Sequence, residues 1–500
     1  MLRTFCLALL LSLAARGADA QAIITGSSNS SGFPLGYANV KAFGASGSGQ
    51  ATTGSISIGS YSLTVANAKD FAVGQGIAVA TAAGSSVALV AKITQINGTT
   101  FTLDTAAGAT ANGQAVEHDD LAAFQAARDS VLPGGTILAP RGWYKLHSTF
   151  ALTSAAGLTA GVSLIGVGGY YTGAYAAGTF GTVIDGSTNF YPYGYQGIVD
   201  LGANAWGSIL QGFAVIGSSN TLDVNIHGCG HVTATDVMTF GGYQGIVVNG
   251  SQHVALLGCY AGSAAKRAIS ITGVSEAVSI VNGYVGNSGD AGTTHDTGNL
   301  VIDGGSRNVT VSGTLVDEGG GASVLILDAD RVRVDTGIVY SSGGGYGVRL
   351  GNGTNNPTNV TIANTTIKPW TVSVPTYSFE IRGTGHSIQN VVTNPNGGGD
   401  VNLVSTDASI WNLNGGKDST GSPGAATLNG SSGRSAIAAG ASSVAITNAL
   451  VSSGSRVMAQ LQTTDGTCLY VKNVVPGSGT FTINVNANCT GNTNVAWALQ

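Results

Sequence analysis

A carboxylate, a phenol and an amine stand at Asp317, Tyr340 and Lys368, each at the end of a short apolar strand. Groups of these types move protons or stabilise developing charge when they converge on one substrate. Neighbouring residues extend the set. Glu318 adjoins Asp317, and a long turn from Asn287 to Gly298 carries Asp290, His295 and Asp296. A second long turn, Pro369 to Ser378, carries Trp370 and Tyr377, which together with Tyr346 offer flat apolar faces. The turns between them are short, so two walls and a low floor are expected to form a cleft. Lys266 and Arg267 add two further cations.

Residues this far apart meet only if the chain repeats. Apolar pairs begin at Val232, Val254, Val278, Val309, Val332 and Val360. A second series ends short strands at Val248, Ile271, Ile302, Leu327, Leu350 and Ile381, each followed by a turn such as Asn249-Gly250 or Asp303-Gly304. Two phased series of short strands predict a coiled parallel sheet in which each strand lies about 4.8 Å from its equivalent in the next circuit. The leucine-rich signature is absent, and a propeller blade needs a longer period. Phased on the first series, the next turn falls at Phe240, Gly262, Gly286, Asp317, Tyr340 and Lys368. The last three should therefore form a column about 10 Å long.

Composition agrees with a β-solenoid. Of 500 residues 77 are Gly, only 9% are charged and 43% are apolar, which leaves ample material for a core. The net charge of −5 gives no basic stripe, so no nucleic-acid partner is expected. At the N-terminus Arg3, the apolar run Phe5 to Ala15 and the triplet Ala18-Asp19-Ala20 read as a leader peptide, residues 1–20, cut before Gln21. The mature protein is then secreted, with no membrane insertion. An oxidising compartment would let Cys468 and Cys489 pair, whereas Cys229 and Cys259 are expected as buried thiols. The run His227-Gly228-Cys229-Gly230-His231 lacks zinc-site spacing and reads as packing. Asp328, Asp330 and Asp335, with Arg331 and Arg333, read as a solvated, ion-paired face.

An open solenoid must cover its first rung. Asp119-Asp120 precede Leu121, Phe124, Ala127, Arg128 and Val131, a helical stripe with acids at its positive end. Leu132-Pro133-Gly134-Gly135 ends this helix, and Thr136 to Pro140 reads as the first strand. The combination of Asn39-Val40-Lys41-Ala42-Phe43-Gly44-Ala45, the Asp119-Asp120 helix, Gly134-Gly135-Thr136-Ile137 and Pro140-Arg141-Gly142-Trp143-Tyr144 resembles the opening of the pectate lyase superfamily. Within it, the rhamnogalacturonase and epimerase-like branch is the most similar. The resemblance implies an all-β chain, a right-handed parallel β-helix of the pectin lyase type, acting on extracellular polysaccharide.

The resemblance also orders the rest. Residues 21–53 carry the family motif, and 54–117 look like the small β-domain inserted at this point in some phage tailspikes. Residues 118–413 form the β-helix with its cap, 414–433 a Gly/Ser linker, and 434–500 a C-terminal antiparallel, sandwich-like β-domain. The likeness to tailspikes implies a homotrimer. The catalytic sets of polygalacturonases and of true pectate lyases are not found, so pectin is not implied as substrate.

Three readings follow. A polysaccharide lyase would use Tyr340 or His295 as base, with Lys368, Lys266, Arg267 or a carboxylate-bound Ca²⁺ stabilising the enolate. A glycoside hydrolase would pair Asp317 or Glu318 with Asp296. Neither needs a cofactor apart from Ca²⁺ in a lyase. The alternatives are a non-catalytic glycan-binding or surface-attachment protein, and a sugar epimerase.

Overall fold

Inward apolar residues at alternate positions, repeated circuit after circuit, are buried only if equivalent strands stack. A computed structural model shows that stacking. It describes residues 36–84, 87–153, 161–168, 181–188, 197–203, 205–288, 297–317, 319–341, 345–369, 375–393, 399–403, 409–411 and 419–499. One sheet of 18 strands and a second of ten wind around a single apolar core. A central circuit gives two strands to the first sheet and one to the second, as in Gln252–Leu257, Tyr260–Gly262 and Arg267–Thr272.

Register follows the expected series almost throughout. Val254 lies on Val278 and Val309 on Val332. In the second sheet the inward row is Val248, Ile271, Ile302, Ile326, Leu350 and Ile381. The expected Leu327 is thus corrected to Ile326. The stretch Val324 to Leu327 is apolar at every position, so alternation could not choose between them. Leu327 instead packs with Val301, Leu325 and Tyr346.

Central circuits bend three times through the left-handed backbone region. Gly228, Gly250, Gly273 and Gly304 mark one corner; His231, His253, Ala277, Asn308, Arg331 and Asn359 a second; Asp236, Gly258, Asn282 and Gly313 a third. An L-residue in this region costs about 1–2 kcal/mol, which favours Gly, Asn and Asp. Polar side chains offset part of that cost by bonding locally: Asn308 Nδ2 donates to Glu276 Oε1 (3.1 Å) and Asn359 Nδ2 to Asp330 Oδ1 (2.7 Å). Ala277, at φ 55°, has no such group. The Asp330–Arg331 and Asp335–Arg333 pairs lie on this surface at 2.5 and 3.1 Å, as an ion-paired face should.

The first rung precedes the insert. Tyr37–Asn39 pairs in parallel with Thr136–Leu138, so the reading of Thr136 as the first strand is corrected. The chain makes one strand, leaves through the insert, and returns to the cap helix, α1 (Leu121–Ser130). Phe124 of α1 is fully buried and meets Tyr144 and Phe150 edge-on. Of the acids before α1, Asp119 accepts from the Leu121 amide at 3.4 Å, at the helix's positive end as expected, whereas Asp120 does not cap it. The Asp120 carboxylate instead accepts from the amides of Ser46 (2.6 Å) and Gly47 (3.4 Å) and so fastens the motif segment to the cap. Burial pushes the Asp120 pKa up to about 7, and burial also raises that of Asp119.

The insert is a closed barrel of six antiparallel strands from Ala51 to Asp119, longer at both ends than 54–117. Its last strand supplies Glu117, whose Oε1 lies 3.3 Å from Lys145 Nζ; Asp185 Oδ2 holds the same ammonium at 2.9 Å. The C-terminal domain has sheets of four and three strands. Cys468 and Cys489 are bonded within it, and Cys229 and Cys259 are buried thiols. Ala426–Thr427 and Ser432–Ile437 already pair with its later strands. The linker expected at 414–433 therefore ends earlier: Gly and Ser loosen a chain only where the backbone has no ladder partner. Among the described residues no helix is long and apolar enough to cross a membrane.

Two outcomes follow from these packing details. Asp120 is ordinarily a carboxylate of pKa 3.8, raised here to about 7. Its contribution to stability is complete below the unfolded value and falls away as pH rises through the folded one. Asp120→Asn should flatten the dependence of the melting temperature on pH between those values. A thermal-melt series across pH reads this; a slope as steep as in the parent would contradict it. Ala277→Gly should raise the melting temperature, by the equivalent of about 0.5–1 kcal/mol, whereas Ala255→Gly in the adjacent extended strand should lower it.

Candidate active site

The outward side of the first sheet carries a ridge built by register. Phe240 lies beside Gly262, Gly262 beside Gly286, and Tyr340 beside Lys368. Val285–Val316 and Val316–Val339 pairing places Asp317 between Gly286 and Tyr340. The column read from spacing is therefore present in the backbone.

Its chemistry depends on residues that the spacing did not single out. Tyr260 and Tyr284 occupy the neighbouring outward column, two residues before Gly262 and Gly286. Their rings stack at 4.5 Å and 9°, and Phe240 caps the row at 4.9 Å. The Tyr284 hydroxyl donates to Asp317 Oδ2 at 2.6 Å, while Asn287 Nδ2 donates to Tyr284 Oη at 3.2 Å. Burial, reinforced by the Asp317 carboxylate, drives the Tyr284 pKa far upward. Tyr284 therefore keeps its proton and acts as a fixed hydrogen-bond donor that orients Asp317.

Glycine makes the contact possible. A Cβ on Gly286 would sit 2.7 Å from Asp317 Cβ and 2.8 Å from the Tyr284 hydroxyl. At Gly262 it would meet the Tyr260 ring at 3.1 Å. Tyr260-Ala261-Gly262 and Tyr284-Val285-Gly286 were thus a readable signal, a tyrosine leaning over a glycine at the same phase of two circuits.

Beyond Asp317, Lys368 Nζ lies 5.2 Å from the centre of the Tyr340 ring, a cation–π contact. The turn is held from within: Asn299 Nδ2 donates to the Asp317 carbonyl, and Ser288 N donates to Asn299 Oδ1 at 2.9 Å. Ser323 Oγ likewise donates to the Tyr340 carbonyl. Hydroxyl, carboxylate, phenol and ammonium thus succeed one another along half-buried positions. The arrangement can donate hydrogen bonds, hold a carboxylate in one orientation and exchange a proton.

The other predicted residues are placed differently. Arg267 starts a strand of the second sheet and is bound to Asp303 (2.9 Å) and Ser270 (3.1 Å). Lys266 lies over Tyr243, 5.5 Å from its centre. Tyr346 and Tyr377 begin successive strands of the second sheet and lie against each other. Arg349 covers Tyr346 at 4.7 Å, so that face is occupied by protein rather than open to a sugar. These residues belong to the second sheet and not to the column because each begins a new leg after the corner. Asp290, His295, Asp296, Glu318 and Trp370 lie outside the described residues. Among the described residues no three His, Cys, Asp or Glu side chains come together to hold a metal. His227, expected only to pack, meets Asp200, which no motif singled out, on the second sheet at 3.0 Å.

No known family's sequence model matches this chain, and no curated protein matches it. Solved structures are similar. DFA-IIIase from Arthrobacter chlorophenolicus, without its lid and in complex with GF2, is 15% identical over 59% of this chain and 84% of its own, with a TM-score of 0.43. The tailspike gp61 of Pseudomonas phage phi297 is 12% identical over 90% of this chain and 81% of its own, TM-score 0.31. The tailspike gp49 of Pseudomonas phage LKA1 gives 13%, 90%, 82% and 0.32 in the same order.

If glycine at 286 is what admits the Tyr284–Asp317 contact, Gly286→Ala should leave the fold intact and separate the two groups. The expected signs are an unchanged circular dichroism spectrum and a Tyr284 hydroxyl proton resonance shifted or lost. Retention of that resonance in its original position would contradict the geometry.

Proposed function

We propose that this chain is a secreted carbohydrate-active β-helix protein that cleaves glycosidic bonds of an extracellular polysaccharide along the ridge. The observation that carries the reading is Asp317 held by the Tyr284 hydroxyl, with Tyr340 and Lys368 on the two following circuits. Acid–base cleavage of a sugar chain needs a carboxyl group of fixed orientation and donors beside it. In a hydrolase, Asp317 or Glu318 is one member of the carboxyl pair, and Asp296 the other. In a lyase, Tyr340 or His295 takes the proton and Lys368 steadies the charge that follows.

One observation favours the non-catalytic alternative. Among the described residues, the ridge from Phe240 to Lys368 carries a single carboxylate. A ridge with one carboxylate can bind hydroxyls without cutting a chain.

The export signal, the ridge and the reaction are tested together on culture supernatant and purified protein. Depolymerisation is followed on acidic and neutral bacterial polysaccharides by viscosity, new reducing ends and the ultraviolet absorbance of an unsaturated uronate. Asp317→Asn should lower the rate about 10²–10⁴-fold, and Tyr340→Phe or Lys368→Met should lower it to a lesser degree. Reducing ends without the absorbance identify a hydrolase. Glycan binding with no cleavage by the native protein would overturn the enzymatic reading in favour of the binding one.

A further inference from the structure

The outer face of the second sheet holds a separate groove. Ala151, Asp200, Asn225, Val247 and Ser270 are equivalent positions on five successive circuits. At about 4.8 Å per step they span about 19 Å. Two concavities follow this column, one of 480 Å³ around Asp200 and His227 and one of 250 Å³ around Gln244 and Arg267. Asn225 and Asn249 line both, so the two are one trough.

Its polar groups are set in advance. Asp200 is buried, and its Oδ1 accepts from Asn225 Nδ2 at 2.8 Å and from Gly197 N at 3.2 Å. Oδ2 accepts from His227 Nε2 at 3.0 Å. A carboxylate cannot donate, so this nitrogen carries the proton and the imidazole is fixed. At the far end Asp303 neutralises Arg267 at 2.9 Å. Arg267 is thus neutralised by Asp303, and the Asp200 carboxylate is occupied by three donors from the protein, so the trough carries no cluster of like charge to select a polyelectrolyte.

The lining at the Arg267 end points to what it does take. Gln244, Asn249, Ser270 and Thr272 line the concavity with amides and hydroxyls. Such groups both donate and accept, and so does the hydroxyl of a sugar. Val247 and Leu222 add apolar surface beside them, as the ring C–H faces of a sugar require. A peptide strand, in contrast, needs an open ladder edge, and this trough lies on the face of a fully paired sheet.

We propose that the trough is a second saccharide site, distinct from the ridge, which takes a short neutral stretch of glycan through Asn225, His227, Asn249 and Gln244. It does not depend on the ridge being catalytic, since no residue is shared. A protein with two such sites would hold one part of a polymer while acting on, or gripping, another.

The full chain is titrated calorimetrically, and by ligand-observed NMR, with neutral linear hexasaccharides of glucose (β-1,4 and α-1,4), mannose and galactose, and with a hexa-uronate as control. Binding of at least one neutral hexasaccharide is expected. Asn249→Trp, at an exposed position where it fills the trough, and Gln244→Ala should each weaken that binding by more than an order of magnitude. Asp317→Asn should leave it unchanged, which separates this site from the ridge. The proposal is overturned if no neutral hexasaccharide binds, if only the uronate binds, or if Asn249→Trp and Gln244→Ala bind as the parent does. Loss of binding in Asp317→Asn alone would assign the saccharide to the ridge instead.

Discussion

Register between successive circuits is the constraint on which this molecule depends. A slip of one residue would turn an inward row such as Val254, Val278, Val309 and Val332 toward solvent, so burial locks each strand to its equivalent. Outward positions gain their order from that lock without contributing to it. Tyr260 lies under Tyr284, and Tyr340 under Lys368, because the residues between them are fixed in the core. The ridge is therefore rigid for reasons unrelated to its own chemistry. The same holds for the trough, whose floor is the outer side of another locked column.

Where the solenoid begins, polar groups replace apolar ones as the fastening. Lys145 lies between Glu117 of the barrel and Asp185 of an early circuit, and the Trp143 indole also donates to Asp185 at 2.8 Å. Burial alone would lower the Lys145 pKa, but the two carboxylates outweigh it and raise it. Such a buried cluster adds little net stability, yet loss of one member leaves a charge uncompensated. It fixes where the barrel's last strand meets the helix. In the C-terminal domain Asp465 plays a comparable part, accepting from the amides of Thr467, Cys468, Thr490 and Gly491 around the disulfide.

Much of this was legible in the sequence, and the failures have physical causes. Periodic Val and Ile positions revealed the all-β parallel solenoid, and the same phase gave the alignment of Asp317, Tyr340 and Lys368. An apolar run hid the difference between Ile326 and Leu327. A β-strand separated from its sheet by the whole barrel, Tyr37–Asn39, could not be recognised as the first rung from local pattern. Tyr260 and Tyr284 escaped notice because their role rests on the absence of a side chain at Gly262 and Gly286. The pairing of Asp200 with His227 depends on stacking one circuit upon the next, with no local spacing to betray it. Arg267, Tyr346 and Tyr377 were assigned to the cleft by proximity in sequence to the turn, but the corner carries them onto the other sheet.

The claim that register makes the ridge is best tested by cross-linking adjacent circuits. Opposed Cα atoms of neighbouring parallel strands lie about 5 Å apart, within the range a disulfide spans. The chain carrying Tyr340→Cys and Lys368→Cys should form that bond on mild oxidation and gain the corresponding peptide in a non-reduced digest. The pair Tyr340→Cys with Ile367→Cys should not, because Ile367 faces the core opposite Val339. Cross-linking of the second pair and not the first would place the strands one residue out of register and contradict the account.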